Sequence, residues 1–325
     1  MVTRAVFLDD YQGVAVGLTQ SFGVDSGVEL VSIGEHISSE DALAEALAGA
    51  DVVVAMRERT AFPSSLIKRL PDLRLLVTTG MGNAMIDVDA ATGGGICVSG
   101  TLGTITPTSE LTWGLIFALL RQIPAADNGM RNGQWQSTIG MSVAGKTLGV
   151  LGAGRLGQLV VEAGKAFRME VIAWSENLTI ERAAAVGAQL VTKDEIFARS
   201  DVLSIHLVLS DRTRGLVGER ELRAMKPTSV LINTSRGPVV DERALVQALN
   251  EGWIAGAGLD VYDTEPLPVD HPLRYLSNAV LTPHLGYVTD DCYEVFFRDI
   301  AEDINAFSAG QPVRVLNPGW DAARR

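Results

Sequence analysis

The stretch from Lys146 to Gly157, K-T-L-G-V-L-G-A-G-R-L-G, limits the folds open to this chain more than any other. A short apolar run, Leu148 to Leu151, ends in Gly152-Ala-Gly154-Arg-Leu-Gly157. A helical pattern follows at once, with Leu159, Val160, Ala163, Ala166 and Phe167 recurring at spacings of three and four. A strand, a tight glycine turn and a helix start are therefore expected here. That geometry aims the helix's free N–H groups and the positive end of its dipole at an anion. Gly152 would permit the tight turn, Gly154 would let a pyrophosphate approach the backbone, and Gly157 would let the helix lie close on the strand. Alone, the motif equally suits a turn without a ligand, or one serving another nucleotide-like cofactor. The rest of the chain has to decide.

At 325 residues the chain is long enough for two domains. Before residue 100, β-rich runs alternate with helical patterns: strands at 5–8, 28–33, 51–56, 73–78 and 97–99, a helix capped by Ser39 and another opened by Pro63. This alternation implies a parallel sheet covered on both faces, a small doubly wound domain. The glycines of Thr78-Thr-Gly-Met-Gly-Asn83 sit at a strand's carboxyl end and read, on local sequence, as a plain turn. Thr108-Ser-Glu110 reads as the cap of a helix to about Arg121, with Leu111, Leu115, Ala118 and Leu119 buried. Residues 127–138 read as an exposed loop with a short helix, Trp135 among them. After the glycine turn, strands at 170–174, 202–206, 230–233, 255–260 and 280–281 bring the count to six, two βαβαβ halves, with a loop and a short strand within 186–191. A last helix, 289–308, carries Val295, Phe296, Ile300, Ile304 and Phe307 on one face.

The net charge of −12 argues against nucleic acid or an anionic membrane as partner, though a local basic cluster for a small anionic substrate stays open. No apolar run approaches the roughly 18–20 residues that span a bilayer; the longest, Leu111–Leu120, is interrupted by Gly114. The N-terminus reads as a first strand and not as a signal peptide. Cys97 and Cys292 lie too far apart in sequence to suggest a disulfide framework or a cysteine metal site. A reducing cytoplasm is the expected location.

Three reactive side chains follow strand ends of the sheet that the glycine turn starts: Arg236, Glu265 and His284. In a parallel sheet these ends share one edge, so distance in sequence does not separate them. Arg236 precedes Gly237-Pro238 and offers a fixed fork to a carboxylate, or a surface ion pair. Glu265, in D-V-Y-D-T-E-P, could orient a base or be a solvated loop acid. His284, fixed by Pro283, is a general-acid candidate, although a lone His is more often structural. His206 ends a strand on the same edge; His36 and His271 read as loop residues. No His, Asp or Glu cluster has metal-ligand spacing, and no metal is expected.

With these residues in place, the chain resembles the D-isomer-specific 2-hydroxyacid dehydrogenase family over nearly its full length. Four runs carry the resemblance: Gly152–Gly157, Met225-Lys-Pro-Thr-Ser-Val-Leu-Ile-Asn-Thr-Ser-Arg-Gly237, Gly258-Leu-Asp-Val-Tyr-Asp-Thr-Glu-Pro266 and Thr282-Pro-His-Leu-Gly286. It implies an α/β fold of two doubly wound domains: a Rossmann dinucleotide-binding domain, 102–285, inserted into a smaller flavodoxin-like substrate domain, 1–101 with 286–325, and an active site in the cleft. It implies that the 80–83 loop, through Met81, Gly82 and Asn83, binds the substrate carboxylate together with Arg236. It implies a 2-keto acid reduced to a D-2-hydroxy acid, with Arg236 polarising the carbonyl, His284 donating the proton and Glu265 fixing its tautomer. Arg155 and Leu156 would join the three glycines at the pyrophosphate. Ser175, His206, Thr234, Ser235 and Gly286 would line the cofactor groove with Arg236 and His284, and Asp260 would hold the nicotinamide carboxamide.

Two departures matter. Ser175 stands where an Asp would accept from the ribose and repel a 2′-phosphate, which would admit NADP(H); Glu176 beside it, and no Lys or Arg before Arg182, favour NAD(H). Tyr287 replaces the second glycine of the family's H-I-G-G and puts the substrate's size in question. Glu265 disfavours a formate dehydrogenase, which carries glutamine there. A phosphite-type dehydrogenase shares the Arg/Glu/His set, and corepressors of similar fold bind the cofactor while recruiting peptides through extra segments not found here. Phosphoglycerate dehydrogenases fit less well, because no regulatory domain fits after residue 308. The family resemblance also implies a homodimer built on the helix after Thr108 and the segment around Gly133 and Trp135.

Overall fold

The computed structural model describes residues 3–321. In chain order its elements are β1 (Thr3–Phe7), α1 (Ala15–Ser21), β2 (Val28–Ser32), α2 (Glu40–Ala46), β3 (Val52–Ala55), α3 (Ser64–Ile67), β4 (Leu75–Thr78), α4 (Val88–Gly93), β5 (Cys97–Gly100), α5 (Thr106–Leu120) and α6 (Ile123–Arg131). There follow β6 (Thr147–Leu151), α7 (Arg155–Ala166), β7 (Glu170–Trp174), α8 (Ile180–Val186), β8 (Gln189–Leu190), α9 (Lys193–Arg199), β9 (Val202–Ile205), α10 (Glu219–Ala224), β10 (Val230–Asn233), α11 (Glu242–Glu251), β11 (Gly256–Leu259), β12 (Ala279–Leu281) and α12 (Asp290–Ser308). They divide into two compact units, Met1–Thr104 with Thr289–Arg325, and Ile105–Val288.

Among the described residues, the first unit's sheet has five parallel strands in the order β2-β1-β3-β4-β5. This is the flavodoxin-like order, with its switch point between β1 and β3. β3, β4 and β5 are buried along their whole length, as parallel strands covered on both faces must be. Val6, Val53, Leu76 and Val98 pack with Leu43, Leu47, Leu66 and Leu70. The alternate residues point the other way, where Phe7 meets Phe297 of α12 with ring centroids 6.3 Å apart. α2 starts at its expected cap, the Ser39 side chain accepting the Ala42 N–H. α1 and α4 have no counterpart in the sequence reading; both are short and contain glycine, which weakens any helical pattern.

α12 buries more than its expected stripe. Tyr293, Phe297, Asp299, Ala301 and Asp303 are also buried, whereas Val295 and Phe307 are only half-buried. The two acids are held by distant partners, which is why a pattern of apolar spacing misses them. Asp299 accepts the Leu102 N–H at 2.8 Å. Asp303 lies 3.0 Å from Nη2 of Arg314, and burial nevertheless pushes its carboxyl up to about 7. Beyond α12 the chain returns to β5: Val315 bridges Ser99, and Leu316 donates to the Val98 carbonyl at 2.7 Å.

In the second unit the described sheet has seven parallel strands, β12-β11-β10-β9-β6-β7-β8, and not six. The extra strand is Gln189–Leu190, which pairs with Ile172 and Ala173. It is the short strand read within 186–191, which the count of six left out. α5 and α7 cover one face through Trp113, Leu115, Ile116, Val160 and Val161; α9, α10 and α11 cover the other through Ile196, Phe197, Leu222, Leu245 and Leu249.

Two helix readings need correction. α5 starts at Thr106, not after a Thr108 cap, because Pro107 suits a helix's first turn. Its buried face is Thr112, Trp113, Leu115, Ile116 and Leu120, while Leu111, Ala118 and Leu119 are half-buried. A buried threonine rotates the stripe away from the apolar residues alone. α7 buries Gly157, Val160, Val161 and Gly164 and leaves Ala166 and Phe167 exposed. The glycines bring it down onto β6: a side chain at Gly164 would lie 2.6 Å from Leu148.

The units part three residues beyond the boundaries read from sequence, at 104/105 and 288/289. Leu102 stays with the first unit through Asp299. Gly286 stays with the second through Thr108 and Asp260. Among the described residues, no helix is long and apolar enough to cross a membrane.

Candidate active site

The glycine turn lies at the switch point between β6 and β9, the usual place for a ligand in an open α/β sheet. Gly152 has φ +96°, and a side chain on it would come within 2.5 Å of the His206 carbonyl oxygen. Only glycine fits there. Gly154 is the N-cap of α7, and among the described residues no side chain caps that start. The N–H groups of Arg155, Leu156 and Gly157 thus open the helix uncapped, with the dipole behind them. A side chain at Gly157 would strike the Gly152 carbonyl. The turn has the shape and the polarity to hold a pyrophosphate.

Around it stand the other cofactor-side residues. His206 follows β9; its Nε2 lies 2.8 Å from the Ser204 hydroxyl, and among the described residues its buried Nδ1 has no hydrogen-bond partner. Burial pushes the imidazole down to about 3, so it is neutral at physiological pH. Ser175 follows β7, and its carbonyl accepts the Leu178 N–H at 3.0 Å. Glu176 and Asn177 are exposed, and Arg182 donates to the Asn177 carbonyl at 3.3 Å.

The three reactive side chains come from adjacent strand exits. Arg236 follows β10 and precedes a 3-10 turn, Gly237–Val239. A side chain at Gly237 would meet the Asp263 backbone nitrogen at 2.6 Å, so glycine lets the Arg236 turn press on the β11 exit. On that exit Glu265 has its two oxygens divided: Oε1 accepts the Tyr262 N–H at 2.9 Å, and Oε2 lies 2.6 Å from Nδ1 of His284. An ionised carboxylate can only accept, so Nδ1 carries the proton and Nε2 is the nitrogen left to exchange one. The Tyr262 hydroxyl ties this exit to the end of β12 by donating to the Thr282 carbonyl at 2.9 Å. The Tyr287 ring meets the His284 ring edge-on, centroids 5.5 Å apart.

His284 has φ +56°, a left-handed conformation uncommon for residues other than glycine. Asp260 holds it there from both sides. Its Oδ1 accepts from the Thr282 hydroxyl at 2.6 Å and from the Leu285 N–H at 2.7 Å, and its Oδ2 accepts from the Gly286 N–H at 2.9 Å. The residue is fully buried, and burial raises its carboxyl against the lowering effect of these donors. In this arrangement Asp260 offers no exposed face to a carboxamide; it positions the His284 turn. Its own N–H donates to the Asn233 carbonyl, and Nδ2 of Asn233 donates to the Arg236 carbonyl at 3.0 Å. Ser235 is turned inward as well, its N–H donating to Oδ1 of Asn233 at 3.1 Å. Thr234 Oγ1 lies 2.8 Å from that of Thr112.

In the first unit, Met81 and Gly82 stand exposed after β4. Asn83 does not face outward: its amide donates to the Arg57 carbonyl at 2.6 Å and the Thr78 hydroxyl at 2.9 Å, and its oxygen accepts the Met85 N–H. It shapes the loop. Sequence reasoning missed Asn233, Tyr262, Thr282 and, on α5, the side-chain roles of Thr108 and Thr112. The available signals were polar residues ending an apolar strand and a threonine on a helix's buried face. Among the described residues, no group of three or more His, Cys, Asp or Glu is placed to hold a metal.

Comparison with known proteins adds an independent line. The family model described as D-isomer specific 2-hydroxyacid dehydrogenase, NAD binding domain, matches residues 113–286. A glyoxylate reductase of Aeropyrum pernix is 42% identical over 274 residues, 78% of this chain and 82% of that one. One from Thermococcus litoralis is 38% identical over 78% of this chain and 79% of its own. A crystal structure of a phosphoglycerate oxidoreductase from Vibrio cholerae superposes with TM-score 0.90 at 36% identity, covering 95% of this chain and 100% of that one.

Proposed function

The chain belongs to the D-isomer-specific 2-hydroxyacid dehydrogenase family, and from there we propose that it works mainly as an NADH-dependent reductase of a small 2-keto acid, glyoxylate or a close homologue. The family interconverts 2-keto and 2-hydroxy acids with a nicotinamide cofactor. When bound, that cofactor supplies the hydride. The observation that carries the reading is the His284–Glu265 contact of 2.6 Å beside the Arg236 turn.

In this reading Arg236 binds the substrate carboxylate and polarises its carbonyl, because a guanidinium presents two parallel donors. His284 delivers the proton from Nε2 to the developing alkoxide, and Glu265 keeps Nδ1–H pointed away from it. In the first unit, the exposed 81–82 backbone has N–H groups of a kind that suits a carboxylate. Gly152, Gly154, Arg155, Leu156 and Gly157 hold the pyrophosphate. Ser175 accepts from the ribose, and Glu176 disfavours a 2′-phosphate. Arg182, turned to the Asn177 carbonyl, is occupied at the edge of that loop. The reading includes a homodimer, supported by the exposure of Trp135 (75%) and Ile139 (95%).

The test is a panel of glyoxylate, hydroxypyruvate, pyruvate and longer 2-keto acids with NADH and NADPH, followed at 340 nm. Oxidation fastest with NADH and glyoxylate or hydroxypyruvate is expected. No oxidation of either cofactor, despite tight NADH binding, would reject the reductase reading; preference for NADPH would reject the cofactor assignment. Light scattering on the same sample checks the dimer.

A further inference from the structure

The loop that carries Glu265 is largely exposed: of residues 263–270, all but Glu265 and Leu267 stand in solvent. Apolar burial does little to fix such a segment, so polar contacts have to. Arg274 closes its far half, Nε donating to the Pro268 carbonyl at 2.7 Å and Nη2 to that of Leu267 at 2.6 Å. Glu242, the first residue of α11, closes the rest. Its Oε2 accepts the Asp263 N–H at 3.3 Å, and its Oε1 lies 3.0 Å from Nε2 of His271. One carboxylate thus holds the chain two residues before Glu265 and six after it.

His271 caps the 3-10 turn Pro272–Tyr275, its Nδ1 accepting the Leu273 N–H at 3.3 Å. A ring nitrogen that accepts carries no proton, so the proton is on Nε2 and is donated to Glu242. Two histidine–glutamate pairs therefore meet this loop with opposite tautomers: His271 holds it down through Nε2–H, and His284 faces Glu265 through Nδ1–H. The Glu242 and His271 side chains are only 18% and 19% exposed, so solvent and salt screen their contact less than a surface pair. Resting on the reductase reading above, we propose that Glu242 is a positioning residue for the proton transfer: by gripping the Asp263 N–H and His271 together, it keeps the loop in the shape that presents Glu265 to His284. The placement of Glu242 in the chain supports this. It follows Arg236 by six residues, and the Asp263 nitrogen that donates to it is the atom a side chain at Gly237 would meet at 2.6 Å. The contact therefore lies on the seam where the Arg236 turn presses on the Glu265 exit. Glu265 takes both of its contacts, the Tyr262 N–H and His284 Nδ1, from the course of this backbone.

The experiment is steady-state reduction of glyoxylate, or of whichever acid in the panel above reacts fastest, with NADH binding measured separately by fluorescence. A glutamine at 242 has one oxygen for two donors, so one contact is lost. Glu242→Gln should lower kcat about tenfold and leave the substrate KM and the NADH dissociation constant within about twofold. The decisive comparison is made in Glu265→Gln, where the carboxylate to be positioned is already gone. Adding Glu242→Gln there should change kcat by less than about twofold, because residues that act through one contact are not additive. His271→Asn keeps an acceptor for the Leu273 N–H but is too short to reach Glu242. It should repeat the loss in kcat, so the conclusion does not depend on one variant folding. Wild-type kcat in these variants, a loss confined to KM, or a loss that recurs in full in Glu265→Gln overturns the assignment while the reductase reading stands. A wild-type protein that oxidises NADH with no acid of the panel overturns both.

Discussion

Replacing Asp260 by asparagine asks how much of the chemistry depends on a residue that touches none of the reacting atoms. The carboxylate receives three donors: the Thr282 hydroxyl and the N–H groups of Leu285 and Gly286. An amide of the same shape has one oxygen to accept and an NH2 that must face at least one of those donors. A buried donor left unmatched costs about 1–3 kcal/mol, and the remaining contacts lose their charge assistance. The total is about 2–5 kcal/mol. His284 sits in a left-handed conformation that costs about 1–2 kcal/mol by itself, so its turn is the part of the network most ready to relax. If about 2 kcal/mol of the loss appears there, the population with His284 in place falls about 30-fold. Steady-state assays of Asp260→Asn should show kcat lowered by roughly that factor, with NADH affinity within about threefold of wild type. A normal melting temperature with kcat within threefold of wild type would refute the positioning argument. So would a large rise in the NADH dissociation constant at unchanged kcat, which would return Asp260 to the carboxamide.

Further expectations follow from other parts of the structure. His284→Gln should reduce kcat by about 10²–10⁴ while leaving NADH binding intact in a fluorescence titration; a variant at full rate would remove His284 as proton donor. Gly152→Ala should abolish NADH binding and lower thermal stability, because the new methyl would need a positive φ and lie 2.5 Å from the His206 carbonyl oxygen. Asp303 titrates near pH 7 when folded and near 4 when unfolded, so folding takes up a proton between those values and stability falls as pH rises through that window. Asp303→Asn should remove that slope, losing less stability than wild type between pH 5 and 7 by at most about 3 kcal/mol, as read from urea melts.

The elements that position the site were legible because their signals are local. β6, the glycine turn and α7 follow from a short apolar run, three glycines and a helical repeat. The exits carrying Arg236, Glu265 and His284 follow from strand ends that a parallel sheet gathers on one edge. What stayed hidden was relational. Asp260 reads as a ligand-facing acid until its three donors, 22 to 26 residues away, are seen to surround it. Asn83 reads as a substrate contact until its amide is found holding Arg57 and Thr78. Thr112 looks like a polar interruption in an apolar helix because its partner, Thr234, is 122 residues distant. In each case a polar side chain satisfies a buried partner that no spacing rule names.

The first unit is assembled from two distant pieces of chain, and this has a consequence for how the protein is made. Its sheet is complete by Gly100, but α12, which covers Phe7 and supplies Asp299 to hold Leu102, begins at Asp290. At about 5–20 residues per second, a ribosome needs roughly 10–40 s to pass from one to the other. Through that interval one apolar face of the nascent sheet lacks its cover while the whole of the second unit is being made. The larger unit can close on its own residues as soon as they emerge, whereas the smaller has to wait until α12 has been made. During synthesis the period of greatest exposure to aggregation, and of greatest need for a chaperone, therefore belongs to the part of the molecule that was translated first.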